Sequence, residues 1–345
     1  MLVKDLSTKI HVGIDVSKLT LDAFILERKL HRKFKNNSKG FTSLFQWVKK
    51  QSRTAPDTIL FCFEHTGLYS LLLALFLEEN GLFYSMIPPL EIKNSLGLTR
   101  GKNDMVDSMR IADFSLRYED KLHISRLPAR KIRNLHSLLT LRDKLAKNMR
   151  GYIITYNESL RVMQPDDFPE LFCGYRNTIA KLKEEIGNVE RSLKAILKSD
   201  TRLWTTYKLV TGIKGIGLIV ASYMIVYTHN FTRFDTWRKF ACFSGIAPFD
   251  HESGTSVKGK TKVSPIANKR LKTMLHLSAI CAIHTDTELK EYYHRRLAEG
   301  KPKMSVINII RNKLVSRAFA VVKRGTPFVD IKSCLLYTSD AADDR

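Results

Sequence analysis

The sequence predicts an α/β domain followed by a larger, all-helical part. Three observations predict it. Strand-like and helix-like patterns alternate from residue 10 to about 120, two long apolar periodicities of helical spacing follow over 130–205 with no strand pattern, and 206–328 is helical and strongly basic. A chain of 345 residues exceeds the size at which a single core stops growing, roughly 250 residues. Its hydrophobic share of 44 % and charged share of 26 % supply ordinary globular material for more than one core.

In the first part, Val12–Val16 and Leu19–Leu26 read as strands joined by a short turn, and Leu30–Lys35 as a third strand. Ser38 caps a helix over Gly40–Lys50, and Thr58–Phe63 is apolar enough for a buried central strand. A helix over Tyr69–Asn80 closes at Gly81, Leu82–Ile87 is a further strand before Pro88 and Pro89, and Asp104–Arg117 is a helix. This β-β-β-α-β-α-β-α order is that of the ribonuclease H-like fold, which sets a first domain at residues 1–125. Over 126–205, Leu138, Leu141, Leu145, Met149, Tyr152, Tyr156 and Leu160 step by three and four. So do Ile179, Leu182, Ile186, Val189, Leu193 and Ile196. Gln164–Asp167 and Pro169 break the pattern between them, so an antiparallel coiled-coil hairpin with an oligomer seam is expected. In the third part, residues 206–330, Ser264 as N-cap and Pro265 at the first position start a helix to about Ala282. Helices follow over Glu288–Ala298 and Met304–Lys323. Cys334–Arg345 breaks the basic trend, has no periodicity and reads as a non-native tail.

Charge narrows the function classes. Fifty-seven Lys and Arg against 34 Asp and Glu give a net +23, an excess that calls for a polyanion, and nucleic acid is the commonest inside cells. The longest apolar runs, Leu68–Leu77 and Gly217–Tyr227, fall well short of the roughly 20 residues of a membrane span. The N-terminus lacks the build of a secretion signal, and five scattered cysteines without a C-x-x-C exclude a disulfide framework or zinc ribbon, so a cytoplasmic setting is expected.

Four acids stand where chemistry is plausible. Asp15 lies near the middle of the first strand among apolar neighbours, and an ionised carboxylate there needs a partner. Glu64 ends the apolar strand Ile59–Phe63, at the carboxyl edge where α/β sheets place ligands. Asp104 and Asp107 are three apart and share a helix face, where like charges repel unless a cation lies between them. Together they would form an oxygen cage for Mg²⁺, two ions of which clamp the attacking and leaving oxygens of a phosphodiester. Read singly, each is an ordinary surface or capping acid, with Asp104 itself an N-cap.

Ser253 sits in a stretch marked as loop by Pro248, Gly254 and Gly259. A serine nucleophile needs a base and positive charge nearby; His251 and Glu252 are candidates for the first, and Lys258, Lys260 and Lys262 for the second. A plain serine-glycine turn beside a solvated lysine run stays open as the other reading. Between Thr255 and Thr285 the six basic residues Lys258, Lys260, Lys262, Lys269, Arg270 and Lys272 meet no acid, so all are candidate nucleic-acid contacts. Lys214 joins them in Gly212-Ile-Lys-Gly-Ile-Gly217, which reads either as a helix-hairpin-helix turn offering backbone N–H groups to a phosphate or as a bend before a core helix. The aromatics of Phe231–Phe240 have core spacing.

The ordered set Gly13-Ile-Asp15-Val-Ser-Lys18, Glu64-His-Thr-Gly67, Lys102-Asn-Asp104-Met-Val-Asp107, Gly212–Gly217 and Gly245-Ile-Ala-Pro248 followed by Glu252-Ser253-Gly254 resembles the DEDD-type serine transposases of bacterial insertion sequences, recombinases guided by a bridge RNA. The resemblance spans residues 10 to 325. It implies a ribonuclease H-like domain, a coiled-coil hairpin and a helical transposase domain. It also implies that Asp15, Glu64, Asp104 and Asp107 are Mg²⁺ ligands and that Ser253 attacks a DNA phosphate to form a covalent intermediate. The partners it implies are double-stranded donor and target DNA, a structured noncoding guide RNA, and further copies of the chain, from dimer to tetramer, in which one subunit's serine meets another's acids. Asn103 and Ser108 depart from the residues usual in the family. A water-using nuclease or junction resolvase and a non-catalytic nucleic-acid scaffold are the competing readings.

Overall fold

The structure, a computed structural model, describes residues 3, 10–95, 103–253 and 257–329, without the side chains of 250–253 and 257–262. The expected non-native tail at 334–345 lies outside the described residues. The chain divides into two compact units, Met1–Leu127 and Pro128–Arg345. It is mixed α/β, with one five-stranded mixed sheet and twelve helices among the described residues.

In the first unit, β1 (Ile10–Val16), β2 (Thr20–Ile25) and β3 (Leu30–Lys35) form an antiparallel meander, while β4 (Ile59–Glu64) and β5 (Phe83–Ile87) add to β1 in parallel, giving the order β3-β2-β1-β4-β5. β4 lies inside the sheet and reads apolar because both faces are covered. On one face, Val12, Ile14, Phe61 and Phe63 pack against Phe41, Leu44, Trp47 and Leu73 of α1 (Ser38–Ser52) and α2 (Leu68–Glu79). The other face is covered by α3 (Pro89–Ser95) and α4 (Asp104–Arg117), whose Ile92, Ile111 and Phe114 meet Leu60 and Cys62. Two caps differ from the expected ones. Asn37, not Ser38, caps α1 by accepting the Gly40 N–H, and Asn103, not Asp104, caps α4 by accepting the Met105 N–H.

In the second unit, α5 (Arg130–Val162) and α6 (Pro169–Lys198) pair closely. Lys131 meets Asp200 just beyond α6, Arg142 meets Glu190, and Tyr156 meets Phe172, so one index falls as the other rises and the pair is antiparallel. The base of this hairpin shares a single core with the later helices: Ile132, Leu135, Leu139, Val189, Leu193 and Leu197 cluster with α7 (Thr201–Thr211), α8 (Leu218–Tyr227), α9 (Trp237–Phe243), α10 (Lys269–Thr285), α11 (Thr287–Ala298) and α12 (Lys303–Arg324). The aromatics after α8 are core: Phe231 meets Phe319 edge-on, Phe240 packs tilted against Phe319, and Phe234 packs tilted against Phe243.

Two expectations fail here. The stretch expected to be loop around Ser253 is an antiparallel hairpin, β6 (Pro248–Ser253) with β7 (Val257–Val263). Pro248 is tolerated because it opens the strand. α10 starts at Lys269, not at Ser264. Ser264 instead accepts the Ile266 N–H in a local turn, and Asn268 caps the helix through the Leu271 N–H. Among the described residues no helix is long and apolar enough to cross a membrane.

Candidate active site

Sheet register gathers the acids. Asp15 stands near the carboxyl end of β1, not at its middle, and is paired directly with Asp22 of β2, so both lie on one face. On the other side Gly13 pairs with Cys62, and the same parallel register carried two residues on sets Asp15 beside Glu64. Asp22, Asp15 and Glu64 therefore run in a row across three strands. α4 lies over that face because Gly13 has no side chain: a Cβ there would stand 2.1 Å from the Ser108 carbonyl oxygen and 2.3 Å from the Ala112 nitrogen. The close approach brings the first turn of α4, with Asp104 and Asp107, over the row.

Charge crowding registers on Asp15. Burial first, then Asp104, Asp107, Glu64 and Asp22, push its carboxyl up to about 6 from 3.8. Asp22 is 4 % exposed and is held by His31 Nε2 at 3.0 Å and Lys33 Nζ at 3.2 Å. Lys33 also reaches Asp104 at 3.7 Å, and Arg110 holds Asp107 at 3.0 Å. Asp22 escaped the motif reading because it belongs to none of the motifs. The signal was a lone acid in the apolar run Thr20–Ile25, set opposite Asp15 by a short β1–β2 turn. The donors are all carboxylate oxygens, the hard ligands that Mg²⁺ takes. As placed, among the described residues, no three His, Cys, Asp or Glu side chains are close enough to hold one ion, so the cluster is gathered around Asp15 but open.

Ser253 closes β6 opposite Val257, with Glu252 opposite Lys258 and His251 opposite Gly259. Lys258, Lys260 and Lys262 occupy alternate positions of β7. The side chains of these residues lie outside the described ones, so the roles expected of them rest on backbone placement alone.

Sequence comparison adds the decisive observation. The pattern of a DEDD-type IS110 transposase family matches residues 12–165, and that of the Transposase IS116/IS110/IS902 family matches 207–294. The chain is similar to these transposase families over the two matched stretches. Pilin gene-inverting proteins of Moraxella lacunata and Moraxella bovis are each 23 % identical over 335 residues, covering 93 % of this chain and 98 % of theirs. The insertion element IS110 uncharacterized 43.6 kDa protein of Streptomyces coelicolor is 28 % identical over 136 residues, 39 % of this chain and 33 % of that one.

On these matches the chain is a DNA transposase/recombinase, an enzyme. Its candidate nucleic-acid contacts occupy different settings. In this transposase Lys214 is exposed in the α7–α8 turn, where Gly215 (φ 91°) packs on α10: a Cβ there would lie 2.6 Å from Ala282 Cβ, and Ser278 Oγ donates to the Gly215 carbonyl at 2.6 Å. The glycine thus has a packing reason, and Gly217 caps α8 without a side-chain bond. Lys269 is exposed and Lys272 half-buried in the first turn of α10. Arg270, a candidate contact, is tied to Asp143 and to the Tyr223 hydroxyl while its side chain stays 38 % exposed.

Proposed function

We propose that this transposase is a site-specific recombinase of an insertion sequence that cuts and rejoins double-stranded donor and target DNA through a covalent link to Ser253. Asp15, Glu64, Asp104 and Asp107 would hold Mg²⁺, with a structured noncoding RNA choosing the sites. The observation that carries the reading is the row Asp22–Asp15–Glu64 beneath the two α4 acids, which concentrates negative charge on an enzyme that is +23 overall. The mixed sheet and its strand order support a ribonuclease H-like reading of the first unit. Mg²⁺ bound there would offset charge on the phosphate oxygens. The chain's own step is substitution at phosphorus. Ser253 Oγ bonds to phosphorus and gives up its proton to a base, for which His251 and Glu252 are the candidates, while a DNA sugar oxygen leaves. A second sugar oxygen then displaces Ser253, restoring the hydroxyl.

Two relatives are named for inverting a gene, and inversion carried over to this chain requires rejoining, which hydrolysis alone does not supply. The large positive charge supports backbone contacts with both DNA and RNA, leaving sequence choice to base pairing. Assembly from dimer to tetramer, in the cytoplasm, would let one subunit's serine join another's acids.

Denaturing gels of the protein with labelled DNA, guide RNA and Mg²⁺ test this. Wild type should give a protein–DNA adduct, Ser253→Ala should lose it while still binding DNA, and Asp104→Asn should lose cleavage. Cleavage with no adduct in wild type would establish a hydrolytic nuclease, and an unchanged adduct in Ser253→Ala would remove this serine from the reaction.

A further inference from the structure

An open cavity of about 310 Å³ lies in the second unit between α5, α8 and α10. α5 contributes a polar stripe at helical spacing, His136, Asp143, Lys144 and Lys147, distinct from the apolar stripe that packs on α6. α8 adds Tyr223 and Tyr227 one turn apart, their rings stacked with centroids 6.0 Å apart, and the edge of His136 meets Tyr227. Arg270 enters from the first turn of α10, where the helix N-terminus adds positive potential.

The charge of this pocket is set for an anion. Among the described residues Asp143 is the one acid of its lining, and it is already satisfied by Arg270 Nη2 and the Tyr223 hydroxyl. Arg270 Nε donates to the same hydroxyl at 3.3 Å, so the guanidinium is held beside Tyr223 with donors still directed elsewhere. Lys144 and Lys147 stand at the rim. Lys144, Lys147 and Arg270 thus outnumber the one carboxylate, a net charge of +2, beside an aromatic wall. The volume is at the lower end of small-ligand sites, enough for a single nucleotide and too small for a duplex.

We propose that this pocket seats one unstacked nucleotide of a single-stranded nucleic-acid segment, its phosphate held by Lys144, Lys147 and Arg270 and its base or sugar set against Tyr227. Phosphate capture by a fixed arginine fork and flexible lysines, combined with stacking on a tyrosine, is how sequence-tolerant single-strand sites work. The inference rests on the chain's acting on nucleic acid, but on neither Ser253 nor the carboxylates.

The test uses fluorescence anisotropy of the full-length protein with labelled single-stranded RNA, single-stranded DNA and duplex DNA of equal length, over a salt series. Lys144→Ala with Lys147→Ala should weaken single-strand binding about tenfold and lower its log–log salt slope by about 0.7, the value for one lost phosphate contact. Lys49→Ala with Lys50→Ala, exposed lysines of the other unit, serves as the control and should change less. Tyr227→Leu should lower affinity for single strands with the slope unchanged, and a melting curve identifies loss of fold. Losses confined to RNA assign the guide strand, losses confined to single-stranded DNA assign a displaced DNA strand, and equal losses on both single strands leave the pocket serving both. A double lysine variant that matches its control, or that loses duplex binding equally, overturns the pocket alone. Failure of wild type to bind any of the three probes overturns both the pocket and the wider reading.

Discussion

Asp15 is where burial, register and charge act on one atom group. Its carboxyl titrates near 6, above its ordinary 3.8, so the folded protein holds the proton more tightly than the unfolded chain does. That contribution is complete below pH 4 and is lost as pH rises through 6. With the discount that partial exposure requires, the loss is about 1–2 kcal/mol. Metal-free Asp15→Asn should therefore be more stable than wild type at pH 7.5 and nearly equal to it at pH 4, by urea denaturation. Mg²⁺ should raise the stability of wild type at pH 7.5 and not that of the variant. Equal stability of the two proteins at pH 7.5 would show that the crowding is relieved in solution. Asp15, Glu64, Asp104 and Asp107 were legible from residue type and spacing. Asp22 was not, because its place opposite Asp15 depends on a register that no single motif encodes.

The packing of α4 on β1 turns four separated acids into one cluster, and Gly13 permits it. The atoms a Cβ would meet at 2.1 and 2.3 Å are backbone, which cannot rotate aside, so the helix would have to retreat. Gly13→Ala should cost about 1–3 kcal/mol in denaturant unfolding. It should also abolish DNA cleavage, because the α4 acids would lift from the row. Full activity in a folded Gly13→Ala protein would separate the cluster from the reaction. The long helices and buried strands were readable because apolar periodicity is a local property. The β6–β7 hairpin was not. β6 is mostly polar, β7 alternates its lysines with only two apolar residues, Val257 and Val263, and glycines at 254 and 259 give the same signal as a loop.

At the level of assembly, a protein carrying +23 repels its own copies, so association needs either apolar contact or a shared polyanion. The far part of the α5–α6 hairpin supplies the first: Ile154, Leu160, Val162, Phe168 and Leu171 are all at least 40 % exposed, with Val162 at 79 %. Ile154→Asp with Val162→Asp should lower the mass measured by light scattering towards that of a monomer without changing helix content. An unaltered mass would show that this tip makes no contact between copies. The base of the same hairpin is buried in the core of the second unit, whereas apolar residues of its tip are exposed.

Length, charge, apolar period and residue type settled the main elements of this transposase, its basic character and its candidate acids, since each is written locally along the chain. Which acids share a face, that Asp22 joins them, that Arg270 pairs with Asp143, and that Ser253 ends a strand were settled by folding. These depend on strand register and on how closely helices approach, distances between residues far apart in sequence that no local pattern specifies.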